Sequence, residues 1–295
     1  MAFKKEHPGN SQLRTNLEHE YSIHRAVAAA FGQYDNTIKS GVHVPQVFNL
    51  VRTTDNVFWE QHFTKFPGQY RTRGAVVRME RILPLPKVVR KALISYFYPQ
   101  DSPSEETLAA VLNDTPNKHC LARTYLGRAN GTFTRETFSL RNFPLYLSPM
   151  EELGLDVEGL ATLMGKAFAI MHWGAGVNGD DVEFVLGTSA VDGEDQTFDF
   201  QHRAIGFYLL DFGQCDLVDF SEDADVVYQA FKGAMVTGDN QLFIPHYQKS
   251  GQLFSAFKAG YMSAGRSILV KKELQHKFDM EEFMAEYEEY AEDFL

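Results

Sequence analysis

The stretch from Asp156 to Gly213 constrains this chain more than any other part of it. Leu160, Leu163, Met164, Ala167, Phe168 and Met171 recur at three- and four-residue spacing, which makes one face of a helix apolar, and Asp156 stands where an N-cap belongs. The helix runs into His172-Trp173-Gly174-Ala175-Gly176-Val177-Asn178-Gly179-Asp180-Asp181, a loop rich in glycine and acid. Two short apolar runs follow, Val182–Leu186 and Ala204–Leu210, separated by a polar insertion from Thr188 to Arg203. Both read as strands, and the second ends on Asp211-Phe212-Gly213. Pairing of these strands is expected to bring Asp211 close to the acidic loop.

The flanking segments fit a mixed fold. Leu17–Phe31 reads as a helix with Asn16 as N-cap and Gly32 as its stop. Strand-like runs follow at Val42–Val47, Val57–Phe63 and Ala75–Ile82. Met79–Pro86 is an extended connector, because each proline holds the residue before it out of helical geometry. Helices are expected at Lys87–Tyr98, Ser104–Leu112, Asp223–Thr237, Gln252–Ser267 and Met280–Phe294, whereas Asn113–Ser148 is mixed. The expected organisation is a disordered polar start over residues 1–12, an N-terminal lobe with a sheet over 13–83, and a mainly helical lobe over 84–295.

Helix, His-containing loop, strand, insertion, strand and Asp-Phe-Gly form the skeleton of a kinase catalytic lobe. The fold class expected from this order is α+β, a two-lobed protein-kinase-like fold. The chain departs from a kinase where chemistry matters. Gly174 stands two residues after His172, where a kinase keeps its base. A glycine-rich phosphate loop and a strand lysine of the V-A-I-K type are both missing from the pattern. Loss of acid–base help alone typically lowers a rate about 10²–10⁴-fold. What stands in their place is a set of carboxylates, Asp180, Asp181, Glu183 and Asp211. On a strand entered at Asp181, Asp181 and Glu183 point to one face, and two carboxylates there require a cation between them or a raised pKa on one. The alternative is a solvated acidic loop with Glu183 paired to an arginine. His172 is a candidate proton carrier or, as the helix-end context favours, a histidine that fixes the loop.

Composition narrows the partners. No apolar run approaches the ~20 residues of a membrane helix, so no membrane partner is expected. Two cysteines, Cys120 and Cys215, read as free thiols of a reducing cytoplasm, and no zinc or other metal site is indicated. The net charge of −11 is divided unevenly. Residues 1–141 hold 19 Lys and Arg against 12 Asp and Glu, a net of +7, and residues 142–295 hold 9 against 27, a net of −18. A basic half can bind phosphate by counterion release while the whole chain stays acidic. Arg71, Arg73, Arg78, Arg81, Lys87, Arg90 and Lys91 carry much of that excess.

The run Val77-Arg78-Met79-Glu80-Arg81-Ile82-Leu83-Pro84-Leu85-Pro86-Lys87-Val88-Val89-Arg90 comes first, followed by Ala167-Phe168-Ala169-Ile170-Met171-His172-Trp173. With Gly179-Asp180-Asp181-Val182-Glu183-Phe184-Val185-Leu186-Gly187 and Leu209-Leu210-Asp211-Phe212-Gly213, the chain resembles a fungal family that includes the arginine-containing cyclodipeptide synthases. The resemblance covers roughly residues 40–270. It implies an aminoacyltransferase that takes arginine and a second amino acid from charged tRNAs and joins them as a diketopiperazine. An acidic motif needed for catalysis maps onto Asp180, Asp181 and Glu183. Aminoacyl-tRNA carries its own activated ester, so no cofactor is expected, and the partners are arginyl-tRNA and a second charged tRNA rather than DNA. Arg71, Arg73, Arg90 and Lys91 are the candidate tRNA contacts, and Gly174 and Gly176 are candidates to present backbone N–H groups to an oxyanion. The competing readings are a small-molecule phosphotransferase with a divergent nucleotide pocket and a catalytically inactive kinase-like binding module.

Overall fold

Two sheets organise the chain, and a computed structural model describes residues 1–6, 16–99, 103–190 and 203–295. The first segments in order are β1 (Ala2–Lys5), α1 (Leu17–Ile38), β2 (Val42–His43), β3 (Val47–Val51), α2 (Asn56–His62) and β4 (Val76–Met79). β1, β4 and β3 form a small antiparallel sheet with β4 at its centre. Trp59 of α2 packs with Val51 and Val76 beneath Phe58, Phe63 and Phe66, a satellite core separate from the main one.

Three expectations for this region change. Residues 2–5, within the start expected to be disordered, form β1, because the free edge of β4 offers Met79 to Val76 as pairing partners. Residues 7–15 lie outside the described residues. Val57–Phe63 falls in helix α2 rather than a strand: Asp55 caps it by accepting the Phe58 N–H at 3.0 Å, and Trp59 and Phe63 share one face. Helix α1 runs past Gly32 to Ile38, because Tyr34 continues its buried stripe, and Lys39 closes it in the left-handed conformation (φ 53°). Asn16 is the N-cap, as expected, accepting from the Glu18 and His19 N–H groups.

The chain continues through α3 (Lys87–Phe97), α4 (Glu105–Asn113), β5 (Ala122–Tyr125), β6 (Phe143–Tyr146), α5 (Leu147–Glu152) and α6 (Val157–Ala169). β7 (Glu183–Ala190), β8 (Arg203–Leu210), α7 (Ala224–Val236), α8 (Asn240–Phe243), α9 (Gly251–Lys271) and α10 (Met280–Phe294) complete it. The second sheet has the order β2-β8-β7-β5-β6. β7 and β8 pair antiparallel from Glu183↔Leu210 to Ala190↔Arg203, so the two predicted strands are neighbours and both reach into the expected insertion. Residues 191–202 of that insertion are outside the described ones. β2, from the segment assigned to the first lobe, pairs parallel with β8 and belongs to this larger sheet. The connector is extended and joins it too, Leu83 and Thr188 exchanging N–H···O bonds of 3.0 and 2.8 Å.

Helices cover the second sheet, and α6 crosses α9 so closely that only glycine fits. A Cβ on Gly165 would lie 2.1 Å from the Phe257 carbonyl oxygen, and one on Gly260 would lie 2.3 Å from that of Thr162. The structure is therefore α+β with two sheets. Among the described residues no helix is long and apolar enough to cross a membrane. Cys120 and Cys215 are buried free thiols, the first pushed up to about 12 by burial.

Candidate functional site

The register of β7 and β8 sets the site. Because Glu183 faces Leu210, the turn that enters β7 and the turn that leaves β8 lie side by side at one end of the sheet. They are sewn together by backbone and side chain. The Asn178 N–H donates to the Asp216 carbonyl (3.0 Å), and the Asp216 N–H donates to Asn178 Oδ1 (2.9 Å). Cys215 Sγ donates to the Asp180 carbonyl (3.3 Å). Asp181 and Asp211 both occupy the left-handed region, with φ of 54° and 64°. Aspartate tolerates that region better than most residues, and such positions persist only where their surroundings hold them.

Two more elements close the site. The turn between α7 and α8 brings the Asp239 N–H to Asp181 Oδ1 (3.1 Å) and Thr237 Oγ1 to Asp180 Oδ1 (3.0 Å). Gly238 in this turn has a φ of 54°, which strains any larger residue, and a Cβ there would stand 2.9 Å from Asp181 Oδ1 and displace that carboxylate. From β5, Arg123 forms an ion pair with Glu183 through one guanidinium nitrogen and reaches Asp239 Oδ2 at 3.3 Å through the other. The Glu183 and Arg123 side chains are 15% and 19% exposed, which shields their pair from water, and Arg123 Nε is buried without a partner. Gln214 Nε2 donates to Asp181 Oδ2 at 2.9 Å.

Strand alternation does not unite Asp181 with Glu183, because β7 begins only at Glu183 and Asp181 precedes it in a left-handed turn. They converge through Asp239, whose N–H holds Asp181 and whose carboxylate shares Arg123 with Glu183. Burial raises the Glu183 pKa against the opposing pull of Arg123, with Asp211 and Asp239 adding to the rise. Burial also raises that of Asp180, with the neighbouring Asp181 and Asp216 charges adding to it against the Thr237 hydrogen bond. Among the described residues, no three His, Cys, Asp or Glu side chains are placed to hold a metal ion.

Asp211 meets a different set. Lys4 Nζ of β1 lies 2.9 Å from Asp211 Oδ1 and 2.6 Å from Glu20 Oε1 of α1. Burial lowers the Lys4 pKa, but the Asp211 and Glu20 charges outweigh it and leave it raised. Glu20 is buried, its other oxygen has no partner, and desolvation raises its pKa despite Lys4. A cavity of about 280 Å³ opens here between the two sheets, lined by Lys4, Glu20, His24, Glu80, Arg81 and Asp211.

His172 lies apart from these groups, in the core. Residues Ile170–Ala175, of which His172 to Ala175 are expected as a loop, form a wide π-helical turn that continues α6 into the core. His172 is fully buried; Nε2 donates to the Asn178 carbonyl (3.0 Å), which leaves Nδ1 to accept from Tyr261 Oη (2.8 Å). Its ring stacks on Phe231 at 4.4 Å, and burial holds its pKa down to about 3. A neutral, sealed imidazole with both ring nitrogens bonded fixes the turn.

Gly174 and Gly176 are likewise structural. The Gly174 carbonyl accepts from Lys272 Nζ (2.7 Å), and a Cβ at this position would meet Tyr34 and Ala30 of α1 at 3.3 and 3.4 Å. Gly176 takes φ 68°, its N–H donating to the His172 carbonyl (2.9 Å) rather than facing a cleft. The basic candidates divide as well. Arg90 is committed to the Leu85 and Asn117 carbonyls (3.2 and 3.0 Å), which pins the connector and withdraws it from phosphate. Arg71 and Arg73 are exposed beside the small sheet, where they hold the Phe66 carbonyl (2.8 Å) and Asn56 Oδ1 (2.6 Å). Lys91 is exposed on α3.

Arg123, Asp239, Lys4 and Glu20 were not singled out from sequence. Glu20 had a readable signal, a carboxylate on the apolar stripe of Leu17, Ile23, Val27 and Phe31. Lys4 and Asp239 sit in polar segments that look like any solvated surface. No protein-family model, curated protein or solved structure matches this chain.

Proposed function

We propose that this chain is an aminoacyl-tRNA-dependent cyclodipeptide synthase built on a two-lobed kinase-like fold, joining arginine to a second amino acid. The observation that carries the reading is a surplus of carboxylate: Glu183 and Asp239 share the guanidinium of Arg123, while Asp180 and Asp181, tied to the same turn through Thr237 and the Asp239 N–H, add two more acids. That surplus suits a substrate that brings its own cation, an α-ammonium or an arginyl guanidinium, and charge-assisted bonds to it are worth ~1.5–3 kcal/mol each.

The chemistry needs little else. The α-amine of one aminoacyl group attacks the ester carbonyl of the other, a peptide bond forms, and a tRNA 3′-hydroxyl leaves. The amine must first lose a proton, and a carboxylate of raised pKa such as Asp180 is suited to take it. The free amine of the resulting dipeptidyl ester then attacks its own ester carbonyl, closing the ring and releasing the second hydroxyl. Asp181 and Glu183 hold the cationic groups in place. Expression in a bacterial host with mass spectrometry of the medium tests this reading. A new arginine-containing cyclic dipeptide supports it, and its loss in Asp181→Asn at unchanged melting temperature places the activity at this cluster.

A second reading, a small-molecule phosphotransferase, is favoured by one observation. Lys4 on a strand pairs with Glu20 on a helix and with Asp211 of Asp-Phe-Gly, the same residue types that position phosphates in kinases. Against it, the residue in the position of the base is Gly174, packed on α1. Magnesium-dependent consumption of ATP without tRNA, abolished by Asp211→Ala, would put this reading first.

A further inference from the structure

The cavity beside Asp211, in which acids exceed bases, has a more aromatic and basic neighbour, and the two share Ala2 and Lys4 of β1. The outer cavity, about 600 Å³, lies over the small sheet and is lined by Phe3, Lys5, Phe58, Lys65, Phe66 and Tyr70 among others. No carboxylate is among the described residues that line it. Phe3 is 51% exposed although it belongs to a paired strand, so its ring is presented rather than packed. On the inner side of β1 the carboxylates of Glu20, Glu80 and Asp211 outnumber the cations of Lys4 and Arg81, and one Glu20 oxygen is buried without a donor.

We infer that the outer cavity seats the single-stranded 3′ end of a charged tRNA, with its aminoacyl group passing β1 into the inner cavity. This rests on the synthase reading and locates its substrate. A molecule that fits both cavities must be anionic and aromatic at one end and cationic at the other, linked over a few ångströms. An aminoacylated terminal nucleotide has that polarity. Its bases stack on Phe3 and Phe66, its phosphates meet Lys5 and Lys65, and its ammonium group reaches Glu20 and Asp211. Aromatic stacking together with lysine is how single strands are held without base-specific readout.

The test is the binding of a fluorescent five-nucleotide RNA ending in CCA, measured by anisotropy over a salt series. Phe3→Ala is expected to weaken binding at least about fivefold, the worth of one stacked base. Lys65→Ala is expected to flatten the log–log salt slope by about 0.7, one single-strand phosphate. Both side chains are exposed, so melting temperatures should hold. Should Phe3→Ala fold poorly, Lys65→Glu alone still tests the site. Wild-type affinity and slope in the variants, or no RNA binding by the wild type, overturns the inference. Cyclodipeptide output from the same proteins separates the two claims. RNA binding that depends on Phe3 and Lys65, without product from the wild type, leaves this site standing and removes the synthase reading. Product that is indifferent to both residues does the reverse.

Discussion

His172 and Asp180 lie eight residues apart, yet one is sealed in the core with both ring nitrogens bonded and the other stands where carboxylates outnumber cations. In a kinase-like reading of the chain the first would be the conspicuous residue, since it opens the loop that carries the base. Here the histidine end has become scaffold. Trp173 Nε1 and His172 Nδ1 converge on the Tyr261 hydroxyl at 2.9 and 2.8 Å, and Phe231 and Phe283 pack on the indole. The acidic end keeps half-exposed charge, left-handed aspartates and raised carboxylate pKa values. A motif position therefore does not locate a site; the balance of charge and exposure around it does.

The two regions should respond oppositely to mutation. Trp173→Ala, which empties the centre of the aromatic cluster, is expected to lower stability by roughly 3–5 kcal/mol in urea unfolding. A loss below about 1 kcal/mol would mean that the turn is not scaffold. Arg123→Ala comes next, at about 2–3 kcal/mol, because it strands the shielded Glu183 charge; partial exposure reduces the full cost of a broken buried pair. Arg123→Lys should recover part of that loss. Smaller again, Asp180→Asn removes a charge that burial penalises, so its stability at neutral pH should stay level or rise by up to about 1 kcal/mol while activity falls.

The pH response sharpens the same contrast. His172 has its pKa held at about 3 in the folded chain against an ordinary 6.5, so folding favours its neutral form. Its contribution is complete above about 6.5 and is lost as pH falls toward 3, with His24, held at about 4, acting in the same direction. Asp180 and Glu183 are raised above 3.8 and 4.5, so their contribution is greatest below those values and is lost as pH rises through the raised ones. His172→Gln should flatten the acid side of a stability profile measured from pH 7 to pH 4. An unchanged profile would place the acid sensitivity elsewhere.

Much of the scaffold was legible because its signals are local. The apolar stripes of α6 and α10, the Asn16 cap and the pairing of two apolar runs across an insertion depend on residues near one another in the chain. The site was half legible. Its aspartates cluster in sequence, but the groups that define their chemistry arrive from far away: Arg123 bonds Glu183 across 60 positions and Asp239 across 116, and Lys4 reaches Asp211 across 207. β1 and α2 were misread for related reasons. A polar strand such as β1 forms because β4 has an open edge, and α2 owes its geometry to the Asp55 cap and the Trp59 core rather than to an alternating pattern.

The most direct measurement compares the products made by the wild type and by Asp180→Asn, expressed side by side in bacteria and analysed by mass spectrometry with melting curves on both proteins. The expected result is a new arginine-containing cyclic dipeptide from the wild type. Asp180→Asn should lose at least about 10²-fold of that yield, the usual contribution of a positioned proton acceptor, at an unchanged or higher melting temperature. Full yield from a normally folded Asp180→Asn, or no such product from soluble wild type, would contradict the assignment of function to the acidic end of the stretch from His172 to Glu183.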